Sequence, residues 1–324
     1  MLTQKENDID IAFKNFEDDQ PLVSVIITTK NEEKNIENCL VSIREQNYKN
    51  IEIIVVDNFS TDATQIIARN YTKNVVALGP ERSAQRNHGM IDLAKGKYVI
   101  YIDADMILSP NLLKSCVEHM TSDESVVALH IPEIILGRGY FSRVRRFERQ
   151  FYDGTVIDGA RFFNKEKFSI VGGFDAELFK VGGGEDWDLD KKIKKLGSIE
   201  FLKSSKVDPC DSNWVLREFV MERGVSFDSH YSCVYHNEAD FKLLPYLRKK
   251  LYYSIGFNGY INKWGKNDPD IRKQLGIAYR FFIVFTEQGK WRRILERLDL
   301  VIGMYFLRVL VGVTYLIRMS KKSL

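Results

Sequence analysis

The sequence predicts an α/β fold, a mostly parallel sheet with helices on both faces, followed by a C-terminal helical region that associates with a membrane. Short apolar runs alternate with segments of helical periodicity, several runs end in an acidic residue, and basic and aromatic residues accumulate after residue 240. Strands and helices that alternate at short intervals favour a parallel sheet. We therefore divide the chain into a leader (1–20), an α/β domain (21–240) and a basic, aromatic helical region (241–324).

Four strands and three helices are predicted in regular alternation in the first third of the chain. The strands are Val23–Thr28, Ile51–Val56, Val75–Leu78 and Val99–Ile102, and the helices run over Asn35–Glu45, from Thr61 or Asp62 through Tyr71, and over Ser83–Ala94. The strands are nearly continuous apolar runs, whereas apolar residues in the helices recur at helical spacing. Because right-handed crossovers place the carboxyl ends of parallel strands on one edge, we expect Asp57 and Asp103 to share that edge.

The middle of the α/β domain has weaker periodicity and more turn residues. We predict helices from Pro110 through Val117, over Arg138–Phe151 and over Leu189–Leu196, strands over Val126–Ile131 and Val156–Phe163, a turn at Gly172–Asp175, and extended pieces at Val207–Pro209 and Ser232–His236. Three glycines, 182 to 184, precede the last of these helices and allow the backbone to bend sharply.

Charge is unevenly distributed along the chain. Residues 241–324 contain 17 Lys and Arg against 5 Asp and Glu, whereas the preceding residues contain 30 against 39. A basic region on an acidic body predicts a polyanionic surface as partner. Apolar runs at Leu300–Leu307 and Val309–Ile317 favour a membrane over a nucleic acid, although Arg308 between them opposes insertion. We expect helices that lie in the membrane plane or re-enter it, with a single C-terminal span or an ordinary packed helical subdomain as alternatives.

The cysteine pattern indicates the redox state of the compartment in which the protein works. Cys39, Cys116, Cys210 and Cys233 show no Cys-x-x-Cys spacing, which argues against a zinc ribbon. Four cysteines in a chain of 324 residues also make no disulfide framework. The first twenty residues are polar and acidic, so we expect no secretory signal and a reducing, cytoplasmic compartment.

The most informative segment is Tyr98–Met106, a run of strand formers that ends in Asp103 and Asp105. Carboxylates at the end of a buried strand suit a hard divalent ion such as Mg2+ or Mn2+, which in turn bridges phosphates. The alternative is that Asp103 caps a turn and Asp105 is solvated. His236 ends an extended segment, and it becomes a metal or phosphate ligand only if it lies near Asp105.

Further polar residues stand at the ends of other predicted elements. Asp57 can bond to a base or ribose, or it can form an Asx-turn. Arg82 and Arg86 lie on one helix face and suit a pyrophosphate, or they form a solvated basic face. Glu185 and Asp186 form an acidic pair at a helix start, a position that acids favour without any function.

Five segments in order resemble the signatures of a known family. They are Val23–Glu33, Ile53–Thr64, Arg86–Gly89, Gly96–Asp105 and Gly184–Leu189. Together they resemble the inverting, metal-dependent nucleotide-sugar glycosyltransferases with the GT-A fold, family 2 type. The resemblance covers residues 21–197, with a weaker similarity that reaches residue 236. It implies a Rossmann-like GT-A sheet and transfer of a sugar from a nucleotide-diphosphate donor to an acceptor hydroxyl.

The resemblance also implies roles for individual residues. Donor-binding positions are Thr28, Lys30, Glu32, Asp57, Arg82, Arg86, Asp103 and Ala104; metal-binding positions for Mg2+ or Mn2+ are Asp105, Asp103 and His236; acceptor-binding positions are Trp187 and Gly184. Asp186 falls where the family has its catalytic base, with Glu185 beside it. Thr28 replaces a common Pro, Lys30 a common Tyr and Phe59 a common Gly, so the nucleotide and the group that stacks on its base stay open.

A sugar-nucleotide enzyme held at a membrane implies a lipid-linked acceptor, and hence envelope glycan or glycolipid synthesis at the cytoplasmic face of the cell membrane. We expect no nucleic-acid partner; a homo-oligomer is compatible with the sequence. The alternatives are a catalytically inactive nucleotide-sugar-binding regulatory or scaffolding protein, a polyprenyl-phosphate sugar synthase, and a nucleotidyltransferase. The last of these normally has a glycine-rich loop after the first strand, and Thr28–Glu33 contains no glycine.

Overall fold

A seven-stranded sheet forms the centre of the molecule. The structure, a computed structural model, describes residues 20–180, 182–203, 214–228 and 231–322. The predicted leader up to residue 19, the predicted extended piece at Val207–Pro209 and Cys210 lie outside the described residues. The strands are β1 (Val23–Thr29), β2 (Ile51–Asp57), β3 (Val75–Ala77), β4 (Tyr98–Asp103), β5 (Met106–Leu108), β6 (Val126–His130), β7 (Glu133–Leu136), β8 (Ala160–Asn164), β9 (Ser198–Phe201) and β10 (Val234–Asn237).

The sheet has the strand order β3-β2-β1-β4-β8-β6-β9. Strands β1 to β4 pair in parallel, β6 pairs in parallel with β9, and β8 runs antiparallel to both β4 and β6. Neighbouring residues of β1 face opposite sides, with Val25 in the apolar core on one face and Ile26 in the core on the other. These observations confirm the predicted α/β fold and its mostly parallel sheet.

Helices cover both faces of this sheet. In the α/β domain they are α1 (Ile36–Arg44), α2 (Thr64–Arg69), α3 (Arg82–Asn87), α4 (Leu112–Ser122), α5 (Tyr140–Arg149), α6 (Lys165–Ile170), α7 (Glu185–Ile193) and α8 (Arg217–Glu222). A π-helix, His88–Leu93, continues α3, so the helix predicted over this region is present but changes its hydrogen-bond pattern midway. The N-cap of α2 is Ala63. The predicted caps, Thr61 and Asp62, lie two residues and one residue before it.

Two predicted boundaries are wrong for physical reasons. The strand predicted from residue 156 begins at Ala160, because Thr155 and Asp158 form successive turns through their backbone N–H groups. The helix predicted from Leu189 already begins at Glu185. Its first turn accommodates acids, which are favoured near the positive end of a helix, so the lack of apolar residues there did not prevent helix formation.

A smaller sheet brings a distant strand beside the end of β4. Its order is β5-β10-β7, and β10 pairs antiparallel with β5 so that His236 lies opposite Met106. The backbone N–H of Asn237 donates to the carbonyl of Asp105 at 2.9 Å. His236 is therefore carried to the acidic segment by strand pairing.

The C-terminal region is helical and packs against the α/β domain. Its helices are α9 (Leu243–Tyr253), α10 (Phe257–Trp264), α11 (Pro269–Leu275), α12 (Ile277–Phe281), α13 (Trp291–Glu296) and α14 (Leu298–Lys322), with 3-10 turns at Ile283–Phe285 and Glu287–Gly289. One side of α14 joins Val144 and Phe147 of α5 in a shared apolar core. Arg308 is 9% exposed, and its Nε donates to Glu148 Oε1 at 2.9 Å. The arginine that opposes membrane insertion is thus paired inside the protein.

Candidate active site

The carboxyl ends of β1, β2 and β4 meet at one edge of the sheet. The strand register pairs Thr28 with Asp103 and Thr29 with Asp57, and Thr28 Oγ1 donates to Asp103 Oδ1 at 3.4 Å. Asp57 and Asp103 thus share an edge, as the crossover rule predicts. This is the edge at which open α/β sheets bind ligands.

Arg86 connects the two acidic segments of the site. Its side chain is 3% exposed, Nη2 lies 3.2 Å from Asp103 Oδ1, and Nη1 lies 3.5 Å from Asp186 Oδ1. The guanidinium carbon also lies 4.0 Å from the ring centroid of Tyr101. Burial favours the neutral acid at Asp103, but the positive charges of Arg86 and Arg82 outweigh it and lower the pKa of Asp103. The carboxylate is therefore held in its charged form.

Arg82 lies one helical turn before Arg86 and pairs with Glu185. The two side chains form an ion pair in which Glu185 is 3% exposed, and Arg82 also lies over the ring of Tyr253 at 5.6 Å. Both predicted arginines thus project from α3 towards the acidic start of α7, where Arg86 is buried and Arg82 is 35% exposed. The solvated basic face, which was the alternative, is not what the structure contains.

Asp186 is the accessible member of the acidic pair. Its side chain is 39% exposed, and its Oδ1 accepts a hydrogen bond from the hydroxyl of Tyr101 at 2.9 Å. Burial, followed by the charge of Asp186, raises the pKa of Tyr101 well above its ordinary value, so the hydroxyl keeps its proton. A Cβ on Gly159 would lie 2.8 Å from Asp186 Cβ, so this glycine leaves room for the carboxylate. One oxygen of Asp186 is fixed and the other is free of these contacts.

Asp105 and His236 form a second polar centre beside the first. His236 Nε2 lies 3.2 Å from Asp105 Oδ2, and His236 Nδ1 lies 2.9 Å from Glu133 Oε1. Burial alone lowers the pKa of His236, but the charge of Asp105 and the hydrogen bonds to Asp105 and Glu133 outweigh it and raise that pKa well above its ordinary value. The condition set for His236, proximity to Asp105, is met.

The same centre has a buried carboxylate oxygen that is available to a cation. Among the described residues, Asp105 Oδ1 is a buried atom without a hydrogen-bond partner. Buried carboxylate oxygens normally accept a hydrogen bond, and an oxygen that does not is free to bind an ion. Within the described residues, however, no three His, Cys, Asp or Glu side chains are grouped closely enough to hold a metal by themselves. Asp105 and His236 fit a divalent ion that takes its other ligands from substrate or water.

The remaining predicted donor residues differ in their surroundings. Asp57 is fully buried, and its carboxylate accepts from Ser60 N at 2.8 Å and from Gln65 Nε2 at 2.7 Å. These are the contacts of the Asx-turn alternative, and a donor role for Asp57 stays a prediction. Burial, followed in part by repulsion from Asp105 and Asp103, raises the pKa of Glu32, which places this residue within electrostatic reach of the two acids. Lys30 is exposed and Ala104 is buried.

The predicted acceptor residues lie at the junction with the C-terminal region. Gly184 precedes α7 with a φ of 101°, a backbone conformation that favours glycine. Trp187 stacks on Phe257 with ring centroids 5.6 Å apart, and its indole N–H donates to Ile157 O at 3.0 Å. Acceptor binding by Gly184 and Trp187 stays a prediction, and Trp187 also holds α10 against the α/β domain.

Sequence reasoning missed three residues that shape the site. The sequence pattern indicates Tyr101 only as a strand residue, and Tyr253 only as part of the aromatic C-terminal region. Glu133 stands alone after Pro132, and nothing in its neighbourhood signals that its carboxylate accepts from His236 and from Arg161, the latter at 3.0 Å. Strand alternation was the one available signal, since Tyr101 lies two residues before Asp103 and therefore faces the same side.

The fold is that of the GT-A glycosyltransferases. Among solved structures, the chain is similar to a mannosyltransferase, PcManGT from Pyrobaculum calidifontis in complex with GDP-Man and Mn2+, with a TM-score of 0.56 and 19% identity over 92% of this chain and 87% of that one. This likeness establishes the fold.

By sequence, the chain is similar to glycosyltransferases. The family model described as "Glycosyl transferase family 2" matches residues 24–176, which is just under half of the chain. The chain is 30% identical to the glycosyltransferase GlyA of Streptococcus pneumoniae over 57% of its own length and 29% of GlyA. It is 22% identical to the chondroitin synthase of Pasteurella multocida over 56% of its own length and 20% of that protein. The chain thus spans less than a third of these two curated relatives.

Proposed function

We propose that this protein transfers a sugar from a nucleotide-diphosphate donor to an acceptor hydroxyl, with inversion at the anomeric carbon. The observation that carries the proposal is the position of Arg86, which lies 3.2 Å from Asp103 and 3.5 Å from Asp186. The buried guanidinium group of Arg86 thereby connects Asp103, on the proposed donor side, with Asp186, the proposed base. A donor diphosphate bound beside Arg82 and Arg86 would lie next to both Asp103 and Asp186.

The donor side is built to stabilise negative charge. Arg82 and Arg86 supply positive charge where the nucleoside diphosphate leaves. Asp105 and His236, together with Asp103, would hold a Mg2+ or Mn2+ ion, and the unpaired Asp105 Oδ1 supports this assignment. When bound, such an ion acts as a Lewis acid that stabilises the charge on the departing diphosphate.

The acceptor side supplies a base on the opposite side of the reacting carbon. Asp186 takes the proton from the acceptor hydroxyl as that hydroxyl attacks the anomeric carbon and the bond to the diphosphate breaks. The Tyr101 hydroxyl holds Oδ1, which leaves Oδ2 to receive the proton. A single displacement with one base gives inversion and needs no covalent intermediate.

Release of nucleoside diphosphate from a panel of UDP-, GDP-, CDP- and dTDP-sugars, with Mn2+ and with Mg2+, tests this function. We expect turnover with at least one donor, at least a 100-fold lower rate in Asp186→Asn, and unchanged nucleotide binding in that variant. Asp92→Asn, a change of the same kind at a side chain that is 61% exposed, serves as the matched control. Nucleotide binding without turnover in the wild type would favour the regulatory or scaffolding alternative instead.

We further propose that the acceptor is lipid-linked and that α14 lies in the plane of the membrane. By length and composition, Leu298–Leu316 is long and apolar enough to cross a bilayer. Yet its inward side is packed on α5, and Arg308 is paired with Glu148. Its outward side exposes large apolar residues at intervals of three or four: Ile302, Phe306, Val309, Val313 and Leu316. A one-sided apolar stripe within a basic region suits an anionic membrane surface at the cytoplasmic face.

Vesicle co-sedimentation tests the membrane proposal. The full chain is expected to bind vesicles of phosphatidylcholine with phosphatidylglycerol more strongly than vesicles of phosphatidylcholine alone. The double change Ile302→Asp and Phe306→Asp is expected to abolish binding, whereas Ile66→Asp, at a residue that is 70% exposed on α2, is expected to leave it intact. Equal binding by both variants, or self-association of the chain through the stripe, would contradict the proposal.

A further inference from the structure

The loop after β2 holds an aromatic residue in an unfavourable backbone conformation. Phe59 has a φ of 50°, in the left-handed region, and its side chain is 62% exposed. A residue with a bulky side chain adopts this conformation only when its surroundings impose it. Because the ring is largely exposed, burial of the ring does not compensate for the strain. Strained residues of this kind concentrate at functional sites.

Phe59 lies at the ligand edge of the sheet, between the end of β2 and the arginines of α3. It follows Asp57 by two residues, and the register places Asp57 beside Thr29. A Cβ on Gly79 would lie 3.4 Å from Phe59 Cδ2, so the ring borders the segment that leads into α3. The amide of Asn58 donates to Pro80 O at 3.0 Å and fixes the two segments together.

A second residue with a positive φ braces the same loop. Asn31, two residues after the end of β1, has a φ of 53°. Its backbone N–H donates to Ser60 Oγ at 2.7 Å, and its Oδ1 accepts from Thr61 N at 2.9 Å. Among the described residues, Gln288 in the C-terminal region is the remaining non-glycine residue with a positive φ. Two of these three residues with a positive φ therefore lie at one loop of the candidate donor edge.

We infer that the ring of Phe59 is the surface on which the nucleobase of the donor stacks. This inference rests on the proposed function, since it assigns a residue to the nucleotide of that donor. A flat base needs an exposed aromatic face, and the ring lies next to the segment that carries Arg82 and Arg86, where the diphosphate would bind. Lys30, at the end of β1, offers no ring for this purpose. Base–aromatic stacking depends little on which base is bound. The ring of Phe59 therefore accepts a base for its flat shape, and polar contacts elsewhere in the site select which base binds.

Nucleotide binding to Phe59 variants tests the inference. Dissociation constants of UDP, GDP, CDP and dTDP are measured by calorimetry in the presence of Mn2+. For the nucleotide that the wild type binds best, Phe59→Ala is expected to weaken binding about 5- to 150-fold. Phe59→Trp is expected to bind as tightly as the wild type within about threefold, and the added indole fluorescence is expected to be quenched by the nucleotide.

Phe59→Gly separates a binding role from a structural one. Glycine relieves the left-handed strain and removes the ring, so affinity is expected to fall as in Phe59→Ala while the Tm stays equal or rises. Gln288→Gly is the control, with the same relief of strain and unchanged nucleotide affinity. If the wild type binds none of the four nucleotides, the proposed function is overturned together with the inference. If the wild type binds one and Phe59→Ala binds it equally well, the inference alone is overturned.

Discussion

Replacing Arg308 by Met tests whether α14 is docked on the α/β domain. Arg308 Nε lies 2.9 Å from Glu148 Oε1, and the two side chains are 8% and 6% exposed. Removing one partner of a buried pair costs about 3–5 kcal/mol, because the other charge remains buried. Glu148 keeps Arg145 at 3.6 Å and the Tyr152 hydroxyl at 2.7 Å. We therefore expect Arg308→Met to lower the free energy of unfolding by the smaller of these values, about 3 kcal/mol.

A double-mutant cycle isolates the pair itself. Arg308→Met combined with Glu148→Leu removes both charges and is expected to regain about 2 kcal/mol relative to the sum of the single variants. Urea unfolding of the full chain, followed by tryptophan fluorescence, measures the four free energies. The control is Arg297→Met with Asp299→Leu, an exposed pair at 2.7 Å with side chains 45% and 54% exposed, for which no measurable coupling is expected. A coupling of zero at Arg308 and Glu148 would mean that α14 leaves the domain, as a membrane span must.

Three further predictions concern the site and its support. Glu133→Gln is expected to weaken Mn2+ binding about 10- to 100-fold, because His236, the candidate ligand, loses the charged partner that orients its ring. Electron paramagnetic resonance with GDP or UDP present measures this affinity. An unchanged affinity would show that Glu133 does not orient a metal ligand. Gly183→Ala would place a methyl group 1.8 Å from Tyr253 O at a φ of 88°, so we expect loss of sugar transfer and a lower Tm, whereas Gly172→Ala, at a φ of 73° with open space around it, is expected to keep its activity. Burial raises the pKa of Asp153 to about 6, so its carboxyl holds a proton more tightly in the folded chain and stability falls as the pH rises from 3.8 through about 6. Asp153→Asn is therefore expected to be more stable than the wild type at pH 8, by up to about 3 kcal/mol, and to lose this advantage as the pH falls towards 4; a constant difference across urea titrations would refute the assignment.

The first strands are predictable because burial on both faces leaves an unmistakable pattern. β1, β2 and β4 each agree with the predicted strand within one or two residues at either end. The segment before β8 is not predictable in this way. Its apolar residues Val156 and Ile157 pack in the core shared with α14, which apolar periodicity cannot distinguish from a strand.

Some residues of the candidate site were likewise predictable from the sequence, and others were not. Acids at strand ends and arginines one turn apart have sequence signals, and the structure brings Asp103, Arg86 and Asp186 together. Tyr101 meets Asp186 across 85 positions of the chain, and His236 meets Asp105 across 131. Contacts at such separations follow from how α7 packs on the large sheet and how β10 pairs with β5 in the small one, and a single sequence contains no direct record of either arrangement.

The turn that follows α9 lies directly against the glycines before α7. A Cβ on Gly256 would meet Gly182 O at 2.2 Å, and Lys263 Nζ lies 2.8 Å from Asp188. The start of α7, with its proposed base, is thus clamped by residues that follow position 250. A chain shortened at the predicted domain boundary near residue 240 would lose this clamp together with any membrane contact. Loss of activity in such a fragment would carry no information about lipids, and only point substitutions on the outer surface of α14 can separate the two roles of the C-terminal region.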